Sequence, residues 1–234
     1  MKIGIFGLNN FSAGKENIVD ERLNKLRDLA HSAKRVYLQV ELVVDRQRLR
    51  ECDGIISPKN NQADLILSDL EFVEKRLANC QDEKEKGLLS RLKGQLESER
   101  FISELELSEE ENALISGYSL LSLRPVFLIE AAESEGKDKI LSLAYSHFGY
   151  ISFFTANEKE ARAWPIRKGV TAWQASGSIH SDIQKGFIRA EVISFNDLAA
   201  DGGINQAKAN NHLRLENKEY IVQDGDFIKF RFNK

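Results

Sequence analysis

The glycine-containing stretch after the first apolar run holds the residues with the most recognisable chemistry. Six residues separate Gly7 from Gly14-Lys15, and Asn10 lies between them. A phosphate-binding loop has four residues there and a Ser or Thr after the Lys, because its N–H groups wrap the phosphates and its hydroxyl holds Mg²⁺. Glu16 takes the hydroxyl position, where its carboxylate would repel phosphates. We interpret Gly7, Asn10, Gly14 and Lys15 as the remnant of a nucleotide-binding loop; the alternative is a lengthened loop that still holds a nucleotide.

Basic residues in the last third of the chain form the second set with a chemical use. Residues 151–234 hold 12 Lys and Arg against 10 Asp and Glu, whereas residues 1–150 hold 21 against 26. Clustered Lys and Arg can contact the phosphate backbone of RNA. The alternative is the ordinary solvated face of a half-buried sheet. The candidates for binding RNA or a partner are Arg167, Lys168, Lys185, Arg189, Lys229 and Arg231.

The elements that must position the first set alternate between strands and helices. Apolar and β-branched runs predict strands at Lys2–Leu8, Arg35–Asp45, Cys52–Ser57 and Arg124–Glu130. Leucines at helical spacing predict a helical hairpin at about residues 64–104, with helices Leu65–Cys80 and Glu83–Arg100, which could form a short antiparallel coiled coil. Ser108 and Glu111 predict a capping box. This alternation favours a parallel α/β sheet with a helical insertion.

The predicted order of strands and helices in residues 151–234 differs from that in residues 1–150. Thr171–His180 is predicted as a helix between the strands Ala163–Arg167 and Gly186–Val192. Asp224-Gly225 signals a tight turn before Phe227–Phe232, whose residues alternate between apolar and basic. Two strands, a helix and further strands in this order predict a small sheet wrapped over one helix, which is the β-grasp, ubiquitin-like arrangement.

Composition bounds the class of protein. The chain has 234 residues, a net charge of -3 and 42% hydrophobic residues, which is enough for packed cores. Cys52 and Cys80 make neither a disulfide framework nor a metal site. No apolar run approaches a membrane span, and the N-terminus does not have the pattern of a signal peptide. We therefore expect the protein in the cytoplasm.

Several segments together resemble one protein family. The patches FFTANEKEARAW, IRKGVTAWQASGSIHSDIQKGFIRAEVI and YIVQDGDFIKFRFN resemble the TGS-type domain of the YchF/Obg-like ATPase family. Upstream, VDERLNKL, VEKRL, LELSEEE and RPV resemble segments of the same family in the same order. The resemblance implies a P-loop nucleotide-binding domain interrupted by a helical hairpin, followed by a TGS domain. It also implies ribosome binding and hydrolysis of ATP in preference to GTP.

The chain departs from this family at three motifs. Besides the altered loop, Asp45 comes one position later than the metal-binding Asp of the family, and the glycine that should follow it is missing. The base-recognition motif, Asn-x-x-Glu, aligns with Ala131–Ser134, where Ala131 replaces the Asn. Phosphate binding, metal and water positioning, and base reading are thus all impaired. Hydrolysis that depends on positioned charge and metal would lose most of its rate.

The sequence therefore predicts the α/β fold class, with a reduced P-loop NTPase-like domain at 1–150 and a TGS-like β-grasp domain at 151–234. We expect no catalytic residues, no metal site and no cofactor. The leading hypothesis is a catalytically impaired family relative that binds the ribosome, RNA or a translation-related partner, and does not bind a membrane. One alternative is a divergent ATPase or GTPase that uses Mg²⁺ with ATP or GTP; another is a purely structural interaction module.

Overall fold

The computed structural model describes residues 1–130 and 136–233. Its strands are β1 (Lys2–Ile5), β2 (Gly14–Ile18), β3 (Lys34–Val36), β4 (Leu38–Val43), β5 (Gly54–Pro58), β6 (Val126–Ile129), β7 (Tyr150–Ala156), β8 (Glu160–Arg167), β9 (Phe187–Ile193), β10 (Arg214–Glu216) and β11 (Phe227–Phe232). Its α-helices are α1 (Glu21–Leu29), α2 (Gln62–Asn79), α3 (Glu83–Glu97), α4 (Glu109–Ile115), α5 (Lys137–His147), α6 (Ala172–Ile179), α7 (Ser181–Lys185), α8 (Phe195–Asp201) and α9 (Ile204–Ala209). Short 3₁₀ helices lie at Arg46–Glu51, Lys59–Asn61 and Ile102–Glu104.

The chain folds into two compact units. The first comprises Met1–Glu16 and Val40–Ile140, and the second comprises Asn17–Gln39 and Leu141–Lys234. The sequence-based division at residue 150 differs from this grouping because an early segment joins the second unit. That segment contributes α1 and β3, which pack on and pair with β8.

The first unit is built around a five-stranded sheet in the order β2-β4-β1-β5-β6. β1 pairs in parallel with β4 and β5, and β5 pairs in parallel with β6. This confirms the predicted parallel α/β sheet. Parallel sheets are buried on both faces, and Ile3, Ile55 and Ile56 are fully buried here.

The helical hairpin of the first unit forms where the leucine pattern predicts it. α2 and α3 run antiparallel, since Arg76 pairs with Glu85 and Lys93 pairs with Glu74. Asp82 starts α3 by accepting a hydrogen bond from the backbone of Glu85, which satisfies one of the free N–H groups of the first turn. The apolar stripes of both helices enter one core cluster, whose buried members include Leu65, Val73, Leu89 and Leu92.

A buried carboxylate ties this hairpin to the segment that leads into β6. Asp69 of α2 is 1% exposed and accepts hydrogen bonds from the backbone N–H groups of Leu121 (2.9 Å) and Ser122 (2.7 Å). Burial raises the pKa of Asp69, because a charged carboxylate loses its hydration there. The capping box at Ser108 and Glu111 forms at the start of α4, as predicted.

The second unit is built around a six-stranded sheet in the order β10-β9-β11-β7-β8-β3. One face packs on α6, with Phe153 and Ile228 against Ala172 and Ala175. The opposite face carries a second cluster that includes residues of α1 and α8, among them Leu26 and Leu198. Both faces of the central strands are therefore buried. Nearer the β10 edge, β9 and β11 have charged side chains that are exposed to solvent.

Two predicted elements have a different local structure. Gly14-Lys15, predicted as the end of a loop, opens strand β2. Arg35–Asp45, predicted as one strand, is two strands that belong to different sheets, with Tyr37 between them. Its β-branched composition favours strands throughout but does not specify which neighbour each half pairs with. The predicted base-recognition motif at 131–134 lies outside the described residues.

Among the residues that the structure describes, no helix combines sufficient length with sufficient apolar character to cross a membrane.

Candidate functional site

The segment that resembles a phosphate-binding loop connects β1 to β2, which lies beyond β4 in the first sheet, without a helix. β1 ends at Ile5, Gly7 turns the chain with a φ of +69°, and β2 begins at Gly14. In a working loop the Gly-Lys pair opens a helix, so that successive N–H groups point at the phosphates. A strand directs alternate N–H groups to its two sides. Gly14 and Lys15 therefore do not form the N-terminal turn that a phosphate cradle requires.

The space in front of Gly7 is occupied by a side chain. A Cβ atom built on Gly7 would lie 2.3 Å from Nδ2 of Asn61, which ends the short 3₁₀ helix after β5. Asn61 therefore lies directly against the backbone of Gly7. A phosphate group approaching Gly7 from this side would meet the Asn61 amide. All four loop candidates, Gly7, Asn10, Gly14 and Lys15, are exposed.

Two carboxylates near this loop, those of Glu16 and Asp45, are engaged within the protein, whereas Lys15 is exposed. Glu16, at the position that would hold the metal-binding hydroxyl, forms an ion pair with Lys137. The Lys137 ammonium also lies 5.9 Å from the ring centroid of the buried Phe11. Asp45 accepts a hydrogen bond from the backbone of Gln47 and caps a 3₁₀ helix. Within residues 1–130 and 136–233, no cluster of three or more His, Cys, Asp or Glu could hold a metal ion.

The basic candidates of the second unit fall into two groups. Arg167 lies opposite Tyr150, stacks over its ring at 4.0 Å and donates a hydrogen bond to the carbonyl of Phe148; Lys168 follows it in the turn. β11 runs parallel to β7, and the first residue of β11, Phe227, pairs with Phe154. Arg231 is therefore displaced from Arg167 by about eight residue steps, or about 26 Å along the strands.

The second group lies on the solvent-facing part of β9 and β11. Arg189 is opposite Arg231, and Lys229 is opposite Glu191. Arg231 is tied down by Glu191, to which its Nε donates at 2.6 Å. In the part of the chain that the structure describes, Arg189 and Lys229 form no ion pair, and both are exposed. We name Arg189, Lys229 and Arg231 the basic sheet face.

Lys185 lies apart from the strands of this face. It ends α7 and lines a cleft of about 780 Å³ together with Ile183 and Phe232. Acidic and basic residues both line this cleft, since Asp182 and His180 contribute to it. The structure thus brings together three of the six basic candidates as one face.

Comparison with known proteins identifies the family of this chain. A family model named YchF-GTPase_C, described as "Protein of unknown function (DUF933)", matches residues 150–233. The ribosome-binding ATPase YchF of Escherichia coli O157:H7 is 31% identical over 258 residues, covering 80% of this chain and 71% of that protein. The chain belongs to the YchF family. This confirms the family resemblance seen in the sequence.

Other YchF proteins show how much of the family length is present. The ribosome-binding ATPase YchF of Bacillus subtilis is 34% identical, with 73% of this chain and 64% of that protein covered. The Mycoplasma genitalium YchF is 33% identical, with 92% of this chain and 62% of that protein covered. The chain thus spans less than two thirds of the length of these two relatives.

A solved structure of the YchF family supports the fold. The chain matches the Schizosaccharomyces pombe YchF GTPase with a TM-score of 0.78 over 99% of this chain and 97% of that chain. The sequence identity of that match is 18%, so it bears on the fold alone. The mixed α/β fold with two sheets is therefore that of a YchF protein.

Sequence reasoning missed one further set of residues in this YchF-family chain. Arg35 lies over the ring of Tyr37 on one face of the second sheet, and Arg162 lies over the ring of Trp164 on the other face; all four residues line a cleft of about 480 Å³ at the sheet edge. Each pair has the spacing Arg-x-aromatic, and residues i and i+2 of a strand share a face. That repeated pattern was the available signal, but nothing in the sequence showed that the two copies lie together.

Proposed function

We propose that this YchF-family chain no longer hydrolyses nucleotide and acts as a binding module for the ribosome or its RNA. The observation that carries the proposal is strand β2, which begins at Gly14-Lys15 where a phosphate-binding loop would open a helix. The Glu16–Lys137 ion pair and the Asn61 side chain against Gly7 support it further. Because a P-loop enzyme stabilises its transition state through positioned charge and Mg²⁺, loss of the cradle removes the basis for turnover.

The second unit supplies the binding surface in this proposal. We infer that it is a TGS-type β-grasp domain, since one face of a sheet with central parallel strands β7 and β11 packs on α6. Its basic sheet face presents Arg189 and Lys229 without acidic partners in the described residues. These two cations contact backbone phosphates, and Arg231 is held in place by Glu191. The relatives named ribosome-binding ATPase make ribosomal RNA the first ligand to test.

The test is salt-dependent co-sedimentation of the full chain with ribosomes. The double substitution Arg189→Glu and Lys229→Glu is expected to weaken association and to lower the slope of log affinity against log salt concentration by about two. The double substitution Lys25→Glu and Lys208→Glu, an equal charge change at exposed positions on α1 and α9, is the matched control and should keep the wild-type slope. Association that is strong and unchanged in the double variant would contradict the role of the basic sheet face.

A further inference from the structure

The six-stranded sheet of the second unit ends on one side at β10, a strand of three residues. β10 pairs with β9 in antiparallel orientation, with Leu215 opposite Glu191. In the part of the chain that the structure describes, no strand pairs with the other side of β10. An edge of this kind presents N–H and C=O groups that can pair with another chain.

The hydrogen-bond pattern of the sheet shows which backbone groups of β10 point outward. The carbonyl of Asp226, just before β11, accepts from the backbone N–H of Phe154 in β7, so the odd-numbered residues of β11 direct their backbone groups to β9. In β9, the residues opposite those positions bond to β11, and the alternate residues bond to β10. Arg214 and Glu216 therefore bond to β9, and the N–H and C=O of Leu215 point out of the sheet.

The side chains of β10 alternate between the two faces of the sheet. Leu215 is 58% exposed and shares a face with Glu191 and Lys229, because residues that pair across strands lie on the same face. Arg214 and Glu216 lie on the other face, where they form an ion pair at 3.4 Å. The strand thus has a cation and an anion at equal distances from an exposed leucine.

We propose that two copies of this chain pair through β10 in antiparallel orientation, about a two-fold axis at Leu215. Each Leu215 N–H then donates to the Leu215 carbonyl of the other copy, and the two leucine side chains meet. Arg214 lies opposite Glu216 of the second copy, and Glu216 lies opposite Arg214 of the second copy, so both cross-strand pairs join opposite charges. A two-fold interface requires a surface that is self-complementary in this way.

The opposite edge of the same sheet does not have this property. That edge is β3, which has the sequence Lys-Arg-Val. Antiparallel pairing of two copies about Arg35 would place two arginines opposite each other, and like charges at opposed positions are destabilising. Basic side chains on an edge strand discourage pairing with another chain. The charge pattern therefore favours β10 as the edge that accepts a second copy.

Pairing through β10 places the basic sheet faces of both copies on the same side of one continuous sheet. Lys229, Glu191 and Leu215 form one row across β11, β9 and β10. The two Lys229 positions are then five strand spacings apart, or about 24 Å. That distance exceeds the screening length of about 8 Å at physiological salt, so repulsion between the two faces does not oppose the pairing. The pairing does not rest on the proposed function.

Sedimentation equilibrium of the full chain at about 10–300 µM tests the pairing. A few residues from each copy make a smaller interface than the about 20–30 residues a side of a stable complex. We therefore expect a weak dimer, with a dissociation constant of about 0.1 mM.

Leu215→Pro removes the outward N–H of β10. That N–H takes no part in the ladder with β9, and proline is tolerated on an edge strand whose N–H faces solvent. The variant should keep the circular dichroism spectrum and melting temperature of the wild type. Because two hydrogen bonds between the copies are lost, we expect it to dimerise about tenfold more weakly.

Glu216→Lys tests the charge pairing, since it places Arg214 opposite a like charge on the second copy. We expect dimerisation to weaken about fivefold or more. Glu219→Lys, an equal charge change at an exposed position outside β10, is the matched control and should dimerise like the wild type.

A disulfide between the copies would report the position of the two-fold axis. In Leu215→Cys combined with Cys80→Ser, the two new thiols face each other at a Cα separation of about 5.5 Å, which a disulfide can span. The remaining Cys52 is 1% exposed. We expect mild oxidation to link the copies at least about tenfold faster than in Leu67→Cys with Cys80→Ser, since Leu67 is similarly exposed but lies on α2.

Three results would each overturn the pairing through β10. The first is a monomer at every concentration. The second is dimerisation that is equally strong in the wild type and in Leu215→Pro. The third is cross-linking at the same rate in the two cysteine variants. Equal weakening by Glu216→Lys and Glu219→Lys would contradict the register about Leu215.

Discussion

Arg22 links two segments that lie 202 residues apart in the sequence. Its guanidinium forms ion pairs with Asp20 (2.8 Å) and Asp224 (2.7 Å) and lies 5.4 Å from the ring centroid of Phe154. Asp224 also accepts a hydrogen bond from the backbone of Ser152. A single side chain on α1 thus holds the turn before β11 in register with β7.

Replacing Arg22 by Ala should therefore destabilise the second unit. Loss of charged hydrogen bonds at this partly buried position is expected to cost about 1–3 kcal/mol. Thermal melts and hydrogen exchange of β7 and β11 amides would measure the loss. Arg27→Ala is the control, because Arg27 pairs with its exposed neighbour Asp28 and with no other acid among the described residues, and it should change stability by less than about 0.5 kcal/mol. Equal effects of the two substitutions would show that Arg22 is not a link.

His212 and Asp201 form a pH-dependent contact at the surface of the second unit. Nδ1 of His212 lies 2.6 Å from an Asp201 oxygen, and Asn210 donates to the other oxygen. Hydrogen bonding to Asp201 raises the pKa of His212 above its ordinary value of 6.5, and the same bond lowers the pKa of Asp201. The native state thus binds the histidine proton more tightly than the unfolded state.

The sign of the resulting pH dependence follows from that difference. The stabilising effect of protonated His212 is fully present below pH 6.5 and is lost as the pH rises through the raised pKa. His212→Gln should therefore lose less thermal stability than the wild type between about pH 6 and pH 9. An NMR titration would report the His212 pKa, which Asp201→Asn should lower. Identical pH profiles of wild type and His212→Gln would refute the contact.

At the scale of elements, the sequence predicted those helices and caps whose structure depends on their own residues. The hairpin could be predicted because its leucine stripes repeat every three to four residues, and the cap of α4 because Ser108 and Glu111 satisfy each other. The division of Arg35–Asp45 into two strands could not be predicted, since one β-branched run can pair within either sheet. The strand at Gly14–Ile18 could not be predicted for a different reason. Glycine and lysine favour loops, and only pairing within the sheet makes this segment a strand.

The segment Asn17–Gln39 should behave as part of the second unit. Leu26 of α1 is fully buried in a cluster with Phe154 and Phe227. Leu26→Ala should cost about 2–5 kcal/mol and speed hydrogen exchange of β7, β8 and β11. Leu67→Ala, at a position 54% exposed, is the control. Faster exchange in β1 and β5 alone would place α1 with the first unit instead.

At the scale of the whole molecule, our proposal gives the two units different uses. The first has a parallel sheet and a helical hairpin, but the segment that resembles a phosphate-binding loop ends in a strand whose Glu16 is paired with Lys137. The second carries the basic sheet face. The sequence showed the defects of the loop through its spacing and Glu16. It could not reveal that the segments of Arg35 and Arg162 lie side by side, because only the pairing of β3 with β8 makes them neighbours.

Calorimetric titration of the full chain with ATP and then GTP, each with Mg²⁺, tests the central claim most directly. Because Gly14 and Lys15 open a strand and Glu16 is paired with Lys137, we expect no magnesium-dependent binding heat up to about 1 mM nucleotide. Magnesium-dependent binding with a dissociation constant of about 1–10 µM, lost in Lys15→Ala, would contradict the account.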